Sequence, residues 1–240
     1  MQVYWLEQAE ADTPVEDNWL NSGEQLCLNG FRVPKRRADW RLGRWTGKRA
    51  LTAYFNAPGS SDTLARIEIR PSASGAPEVF LAGTPGAVTI SLSHRSGRAL
   101  CAVSQRGVNL GCDLEIVEPR SDAFIRDYFA AEELRVIKEA PHADRARLAM
   151  LMWSGKESAL KALHTGLRLD TRSVTVSFEN ASLDSKGWLA LQARCPDNMV
   201  LHGWWQHAGN MIRTIVADQR LGYPVRLPVA PCCREASPCA

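Results

Sequence analysis

The sequence predicts an α+β protein, and three observations lead to that class. Two runs read as helix, Ala38 to Phe55, which carries a basic stripe, and Ala143 to Leu163, which is rich in Ala, Leu and Met. Each is followed by short segments in which apolar and polar residues alternate with the two-residue period of a strand. Glycine-containing turns such as Arg95-Ser96-Gly97 and His207-Ala208-Gly209-Asn210 then join neighbouring segments tightly enough for antiparallel pairing. The two halves therefore read as similar α+β units, each a helix followed by an antiparallel sheet, without a residue-level repeat that would prove duplication.

In chain order, Val3 to Leu6 is a first strand, and Pro14 to Gly30 mixes turn residues with short apolar pieces around Trp19, Leu20 and Leu26. Arg32, Lys35, Arg36 and Arg37 form a basic cluster that leads into the helix from Ala38. On that helix Arg37, Arg41, Arg44 and Lys48 fall on one stripe, which calls for an anion or for water. Trp40 and Trp45 read as core anchors, and Gly43 and Gly47 offer a flat surface for close packing. Arg66 to Ile69 is a strand, followed by the turn-rich Pro71 to Pro77. Val88 to His94 and Arg98 to Ser104 make a hairpin. Gln105-Arg106-Gly107 is the best place to divide the chain, giving units 1–106 and 107–223 and a disordered tail 224–240 marked by Pro224, Pro228, Pro231 and Pro238. Beyond the division, Val108 to Val117 alternates as a strand, Asp122 to Phe129 and Ala131 to Ile137 are helical pieces, and the long helix ends before Gly166. Strands follow at Val174 to Phe178, Trp188 to Ala193, Met199 to Trp205 and Met211 to Ala217.

The chain has 240 residues, 45% of them hydrophobic, which is enough to bury a substantial core. A net charge of +3 suits an acidic protein partner or a phosphate-rich ligand and does not require nucleic acid. No apolar run reaches a membrane span, and Met1 to Leu6 lacks the pattern of a signal peptide, so a cytoplasmic location is expected. Cys27, Cys101, Cys112 and Cys195 stand singly, as reduced thiols do, while Cys232, Cys233 and Cys239 lack the histidine partners of a zinc site.

Two stretches carry chemistry. On the strand, Asp113 and Glu115 lie two residues apart and so project from one face, where two carboxylates repel unless a cation intervenes. On the long helix, Trp153, Glu157 and Lys161 are spaced by four and share a face. Glu157 and Lys161 alone fit an ordinary surface pair contributing about 0.2–0.5 kcal/mol. Together with Asp113 and Glu115, Glu157 makes an all-oxygen set suited to magnesium, which takes a few carboxylates plus water and substrate phosphate.

Gly111-Cys112-Asp113-Leu114-Glu115 followed by Trp153-Ser154-Gly155-Lys156-Glu157-Ser158-Ala159-Leu160-Lys161 resembles the paired signature of the 4′-phosphopantetheinyl transferases, and the chain length resembles their single-chain, surfactin-synthetase-activating type. The resemblance, carried from about Arg36 to Val176, implies a pseudo-dimer of two α+β halves with the ligand site between them, acting as a monomer. It implies Mg²⁺ on Asp113, Glu115 and Glu157, and Asp113, Glu157 and Lys161 as the catalytic set. It assigns coenzyme A binding to Arg36 and Arg44 on Arg36-Arg37-Ala38-Asp39-Trp40-x-x-Gly43-Arg44, to Lys48 beyond that segment, to Ser93 and His94 in the hairpin, and to Lys156 and Lys161. Where many relatives carry a loop lysine this chain has Ala76, with Arg70 nearby as a substitute. The implied activity moves the phosphopantetheine arm of coenzyme A to a serine of an apo acyl or peptidyl carrier protein in fatty acid, polyketide or nonribosomal peptide synthesis. A groove of Phe124 and Tyr128 rimmed by Arg120, Arg126 and Arg135 would suit the acidic carrier helix. The rivals are a noncatalytic relative that binds coenzyme A or a carrier protein, and a nucleic-acid-binding module, which would leave the carboxylates without a role.

Overall fold

The computed structural model describes residues 1–179 and 187–229. In chain order its elements are β1 (Tyr4–Ala9), α1 (Ser22–Asn29), α2 (Pro34–Tyr54), α3 (Ser61–Arg66), β2 (Ile67–Pro71), β3 (Pro77–Leu81), β4 (Thr84–Pro85), β5 (Val88–Arg95), β6 (Arg98–Gln105), β7 (Leu110–Ile116), α4 (Asp122–Tyr128), α5 (Ala131–Glu139), α6 (His142–Ala162), β8 (Thr175–Phe178), β9 (Leu189–Arg194), β10 (Val200–Ala208), β11 (Met211–Ala217) and β12 (Val225–Arg226). The α+β class stands.

The strands form three sheets, ordered β12-β1-β6-β5, β7-β11-β10-β9-β8 and β2-β3-β4. Helix α2 packs on β1, β5 and β6, and α6 packs on β7 and β11. The same succession thus occurs twice, with β2, β3, β5, β6 and β1 standing where β8, β9, β10, β11 and β7 stand in the larger sheet. The first set is broken between β3 and β5, which pack side by side without a shared ladder. Ser96 (φ 49°) and Gly97 (φ 70°) close the β5–β6 hairpin with positive φ at both positions, as a type I′ turn requires.

Local chemistry sets the ends of the two long helices. Pro34 sits at the start of α2, where a missing N–H costs nothing, so the helix begins earlier than the sequence suggests and takes in Lys35, Arg36 and Arg37. Helix α6 ends at Ala162; His164 (φ 56°) takes the left-handed position nearest its end, and Gly166 (φ 53°) is left-handed two residues on. There His164 N–H bonds Lys161 C=O and Thr165 N–H bonds Leu160 C=O, which closes the last turn next to Lys161.

The expected disordered tail needs correction at its start. Val225 and Arg226 pair with Tyr4 and Trp5 as a parallel edge, Leu227 N–H bonds Trp5 C=O at 2.8 Å, and Leu227 is buried. Residues 230–240, with Cys232, Cys233 and Cys239, lie outside the described residues. Cys101, Cys112 and Cys195 are free and buried, and Cys27 is free and exposed. Among the described residues no helix is long and apolar enough to cross a membrane.

Among the described glycines, the closest approach to neighbouring backbone joins α6 to β7. A Cβ built on Gly111 would stand 1.8 Å from Ser158 C=O and 2.8 Å from Ala162 N. Only a residue without a side chain lets the strand lie against the helix backbone there, one turn from Lys161. We expect Gly111→Ala to lower the unfolding free energy by about 3 kcal/mol or more, read from urea denaturation; a loss below about 1 kcal/mol would mean that the helix is free to move off the strand.

Candidate functional site

A cavity of about 810 Å³ opens between α2 and the end of α6. Phe31, Arg36, Asp39, Trp40, Gly43 and Arg44 wall one side; Arg70 and the Ser74-Gly75-Ala76 turn wall another; Ile90, Leu92 and His94 of β5 form the floor; and Leu160, Lys161 and His164 close the far end. Its size fits a ligand larger than a simple metabolite. Its walls carry Arg36, Arg44, Arg70 and Lys161 against the single carboxylate Asp39, so it favours an anion. The Arg44 guanidinium stacks 4.8 Å from the Trp40 ring centroid, and its buried Nε has no hydrogen-bond partner. Burial draws Arg44 below its ordinary pKa, with Glu24 and Cys27 acting in the opposite direction. His94 is half-exposed, 4.0 Å from Asp39; burial, then Lys161 and Lys35, lower its pKa against the pull of Asp39.

Lys161 connects the cavity to the carboxylates. Its Nζ donates to Asp113 Oδ1 at 2.8 Å and to Cys112 C=O at 2.9 Å while the side chain lines the cavity. Burial works against the ammonium, but Asp113, Cys112 and Glu157 outweigh it and hold Lys161 above its ordinary pKa. Ser93 Oγ donates to the same Asp113 oxygen at 2.8 Å, and the other oxygen, Oδ2, is buried without a partner. Glu115 accepts from Trp153 Nε1 at 3.1 Å and faces Arg95 Nε at 3.3 Å and Arg120 at 3.7 Å. Burial and Asp113 raise its pKa against those partners. Glu157 is pushed up to about 7, first by burial and then by Asp113 and Glu115, with Lys161 opposing. The three carboxylates feel one another across the strand and helix faces where the two-residue and four-residue spacings put them.

The structure brings together Asp113, Glu115, Glu157, Lys161, His94, Arg36 and Arg44, and it places three expected ligand contacts, Lys48, Lys156 and Ser93, off the cavity lining. Lys48 is fully buried behind α2, paired with Glu24 and donating to Trp19 C=O at 3.0 Å. Lys156 is equally buried, 2.7 Å from Glu133 and donating to Thr171 C=O at 2.8 Å. Neither lines the cavity. A buried ammonium needs its carboxylate partner, and each lysine has found one inside its own half. Ser93 is buried and serves Asp113, outside the cavity lining. The basic stripe is divided in the same way, since Arg41 is held by Asp17 at 2.7 Å and by Pro14 C=O at 2.7 Å. Sequence reading missed Arg95, which links Glu115 to Glu118 at 2.7 Å, and Asp39, which holds Lys35 at 2.6 Å at the cavity mouth. A charge-rich hairpin end was the available signal for Arg95.

The donor chemistry at Asp113, Glu115 and Glu157 is that of a hard divalent cation, and the orphaned Asp113 Oδ2 gives it a free buried ligand atom. Among the described residues, however, no group of three or more such side chains is gathered in metal-holding geometry. The expected cage is not pre-assembled: Lys161 answers the charge of Asp113, and Arg95 and Arg120 answer that of Glu115.

The raised carboxyl of Glu157 has a signed consequence. Its folded pKa of about 7 exceeds the ordinary 4.5, so the folded chain holds an extra proton between those values. Its contribution is therefore full below pH 4.5 and is lost as pH rises through 7. In chelator-treated protein, Glu157→Gln should be more stable than the parent at pH 8, on the order of 1–3 kcal/mol, with a flatter stability profile between pH 5 and 8. Parallel parent and variant profiles in thermal melts would contradict this electrostatic description.

Residues 109–210 match the 4′-phosphopantetheinyl transferase superfamily. The chain is also 26% identical over 201 residues to the 4′-phosphopantetheinyl transferase HetI of Nostoc sp. (strain PCC 7120 / SAG 25.82 / UTEX 2576), which covers 81% of this chain and 82% of that protein. The matched segment holds Asp113, Glu115, Glu157 and Lys161, the residues that converge on Asp113. Over residues 109–210 the chain thus resembles the 4′-phosphopantetheinyl transferase superfamily, and it is an enzyme of the transferase class.

Proposed function

We propose that the chain transfers the 4′-phosphopantetheine arm of coenzyme A to a serine hydroxyl of an apo acyl or peptidyl carrier protein, releasing adenosine 3′,5′-bisphosphate. The observation that carries this reading is Lys161, which lines the anion-favouring cavity and at the same time grips Asp113 of the carboxylate cluster. A phosphate-rich ligand in the cavity would therefore present one end to Arg36, Arg44 and Arg70 and the other to the carboxylates.

Arginine suits the outer end because its planar donors meet phosphate oxygens in pairs. Trp40 holds the Arg44 plane, and Arg44 Nε remains free to donate. Arg70, at the turn where Ala76 stands, supplies the cation that Ala76 does not. His94 and Lys161 come next along the floor, where the ammonium would neutralise phosphate oxygens as charge moves onto the leaving group. Asp113, Glu115 and Glu157 would hold Mg²⁺. When bound, that ion withdraws charge from the pyrophosphate and orients it. The serine oxygen forms the new bond to phosphorus as the bond to the adenosine-bearing phosphate breaks. Glu157, or a water beside it, accepts the hydroxyl proton.

The carrier would approach over Phe124, Tyr128 and Trp153, whose rings pack at centroid distances of 4.9, 5.0 and 5.1 Å beside Glu115. Arg126 stands exposed at the rim, while Arg120 is drawn inward to Glu118 at 3.1 Å. The division into units 1–106 and 107–223, the single-chain surfactin-synthetase-activating type and a monomeric state belong to the same reading.

The test is intact mass of an apo carrier protein after incubation with the chain, coenzyme A and Mg²⁺. A gain of one phosphopantetheine arm, absent with chelator and reduced at least about a thousandfold in initial rate by Glu157→Gln, is expected. No gain with several acyl and peptidyl carriers, while coenzyme A still binds, would favour a noncatalytic binding protein.

A further inference from the structure

The two lysines that the cavity does not use are built into the molecule in the same way. Lys48 stands as far from the start of the 21-residue α2 as Lys156 does from the start of the 21-residue α6. Both are 0% exposed. Each pairs with a buried glutamate in the first turn of a neighbouring helix, Glu24 of α1 or Glu133 of α5. In each pair Oε2 takes the lysine and the backbone N–H that precedes the helix, from Asn21 at 3.2 Å or from Ala130 at 2.9 Å. In each, Oε1 takes a strand N–H, from Ile69 at 3.4 Å or from Val176 at 2.9 Å. Each ammonium lies 5.7 Å from one ring centroid, Trp19 or Phe129.

The glycines before the lysines complete the correspondence. A Cβ on Gly47 would meet Ile69 Cδ1 at 2.7 Å, and one on Gly155 would meet Val176 Cγ1 at 2.9 Å. These are the two strand residues whose N–H groups the glutamates hold. Trp45-Thr46-Gly47-Lys48 and Trp153-Ser154-Gly155-Lys156 are thus a residue-level repeat that the sequence reading did not find. The repeat diverges where the chemistry begins: Arg49 stands at the place of Glu157, and Ala53 at that of Lys161.

The half without the carboxylate cluster keeps the same buried lysine with the same partners, so the lysine serves a task common to both halves. We infer that Lys156 with Glu133, and Lys48 with Glu24, are positioning pairs, each fixing the axial placement and rotation of its long helix against a neighbouring helix and strand. The first presents Glu157 and Lys161 to Asp113; the second presents Arg44 to the cavity. The assignment of ligands to those side chains rests on the proposed function, whereas the construction of the pairs does not. Such pairs specify geometry more than they add stability, because desolvation offsets their attraction.

Lys156→Met and Lys48→Met test the inference through two affinities measured apart: Mn²⁺ without coenzyme A, by electron paramagnetic resonance of the free ion, and coenzyme A without divalent metal, by calorimetry. Lys156→Met should weaken Mn²⁺ binding about 10–100-fold and affect coenzyme A far less; Lys48→Met should do the reverse. If a single variant loses the parent's circular dichroism, the charge-neutral doubles Lys156→Met/Glu133→Gln and Lys48→Met/Glu24→Gln take its place. Equal losses of both affinities in both variants, no loss in either, or misfolded doubles would overturn positioning. A loss of coenzyme A binding in Lys156→Met as large as its loss of Mn²⁺ would make Lys156 a phosphate contact instead. Failure of the parent to bind coenzyme A would defeat the functional reading and leave the Mn²⁺ comparison in force, and failure of the parent to bind Mn²⁺ would defeat the inference.

Discussion

The site depends on the distance between helix α6 and strand β7. Gly111 lets the strand backbone lie against Ser158 and Ala162, and at that separation a lysine one turn on can reach both Cys112 C=O and Asp113. With any side chain at Gly111, the helix would have to move off the strand. Lys161, Glu157 and Trp153 project from that helix at four-residue spacing, so one close contact sets their approach to Asp113 and Glu115 together.

Charge accounts for what the contact brings together. Three carboxylates share a partly dry corner, and Lys161, Arg95 and Arg120 offset their repulsion only in part, which leaves Glu157 near neutrality and one Asp113 oxygen without a partner. On the other side of Lys161 the charge reverses, and Arg36, Arg44 and Arg70 surround a cavity with the single carboxylate Asp39. Anion-favouring and cation-favouring environments therefore meet at one ammonium. That is the arrangement a metal-dependent transfer from a pyrophosphate would use.

Local periodicity made much of this legible in the sequence. Asp113 and Glu115 share a strand face, Trp153, Glu157 and Lys161 share a helix face, and the β5–β6 turn follows from Ser96-Gly97, all without knowledge of neighbours. What periodicity leaves open is the element that a face meets. Lys48 belonged to a basic stripe by spacing, yet its partner Glu24 lies on α1, a helix that the irregular Pro14 to Gly30 stretch concealed. Lys156 sits beside Glu157 in sequence but about 100° round the helix from it, where Glu133 waits on α5. The pairing of Val225 and Arg226 with β1 escaped for a similar reason: two residues joining the far end of the chain carry no local pattern. In each case a long-range partner decided the outcome.

The joining of cavity and carboxylates into one site is tested most directly by crystals of the chain grown with coenzyme A and Mn²⁺, with the anomalous scattering of manganese used to place the metal. The peak should fall among Asp113, Glu115 and Glu157, with the coenzyme pyrophosphate beside Lys161 and its adenosine end between α2 and the Arg70 turn. Manganese at other residues, or coenzyme A bound outside the cavity between α2 and α6, would contradict a single site built on the contact of α6 with β7.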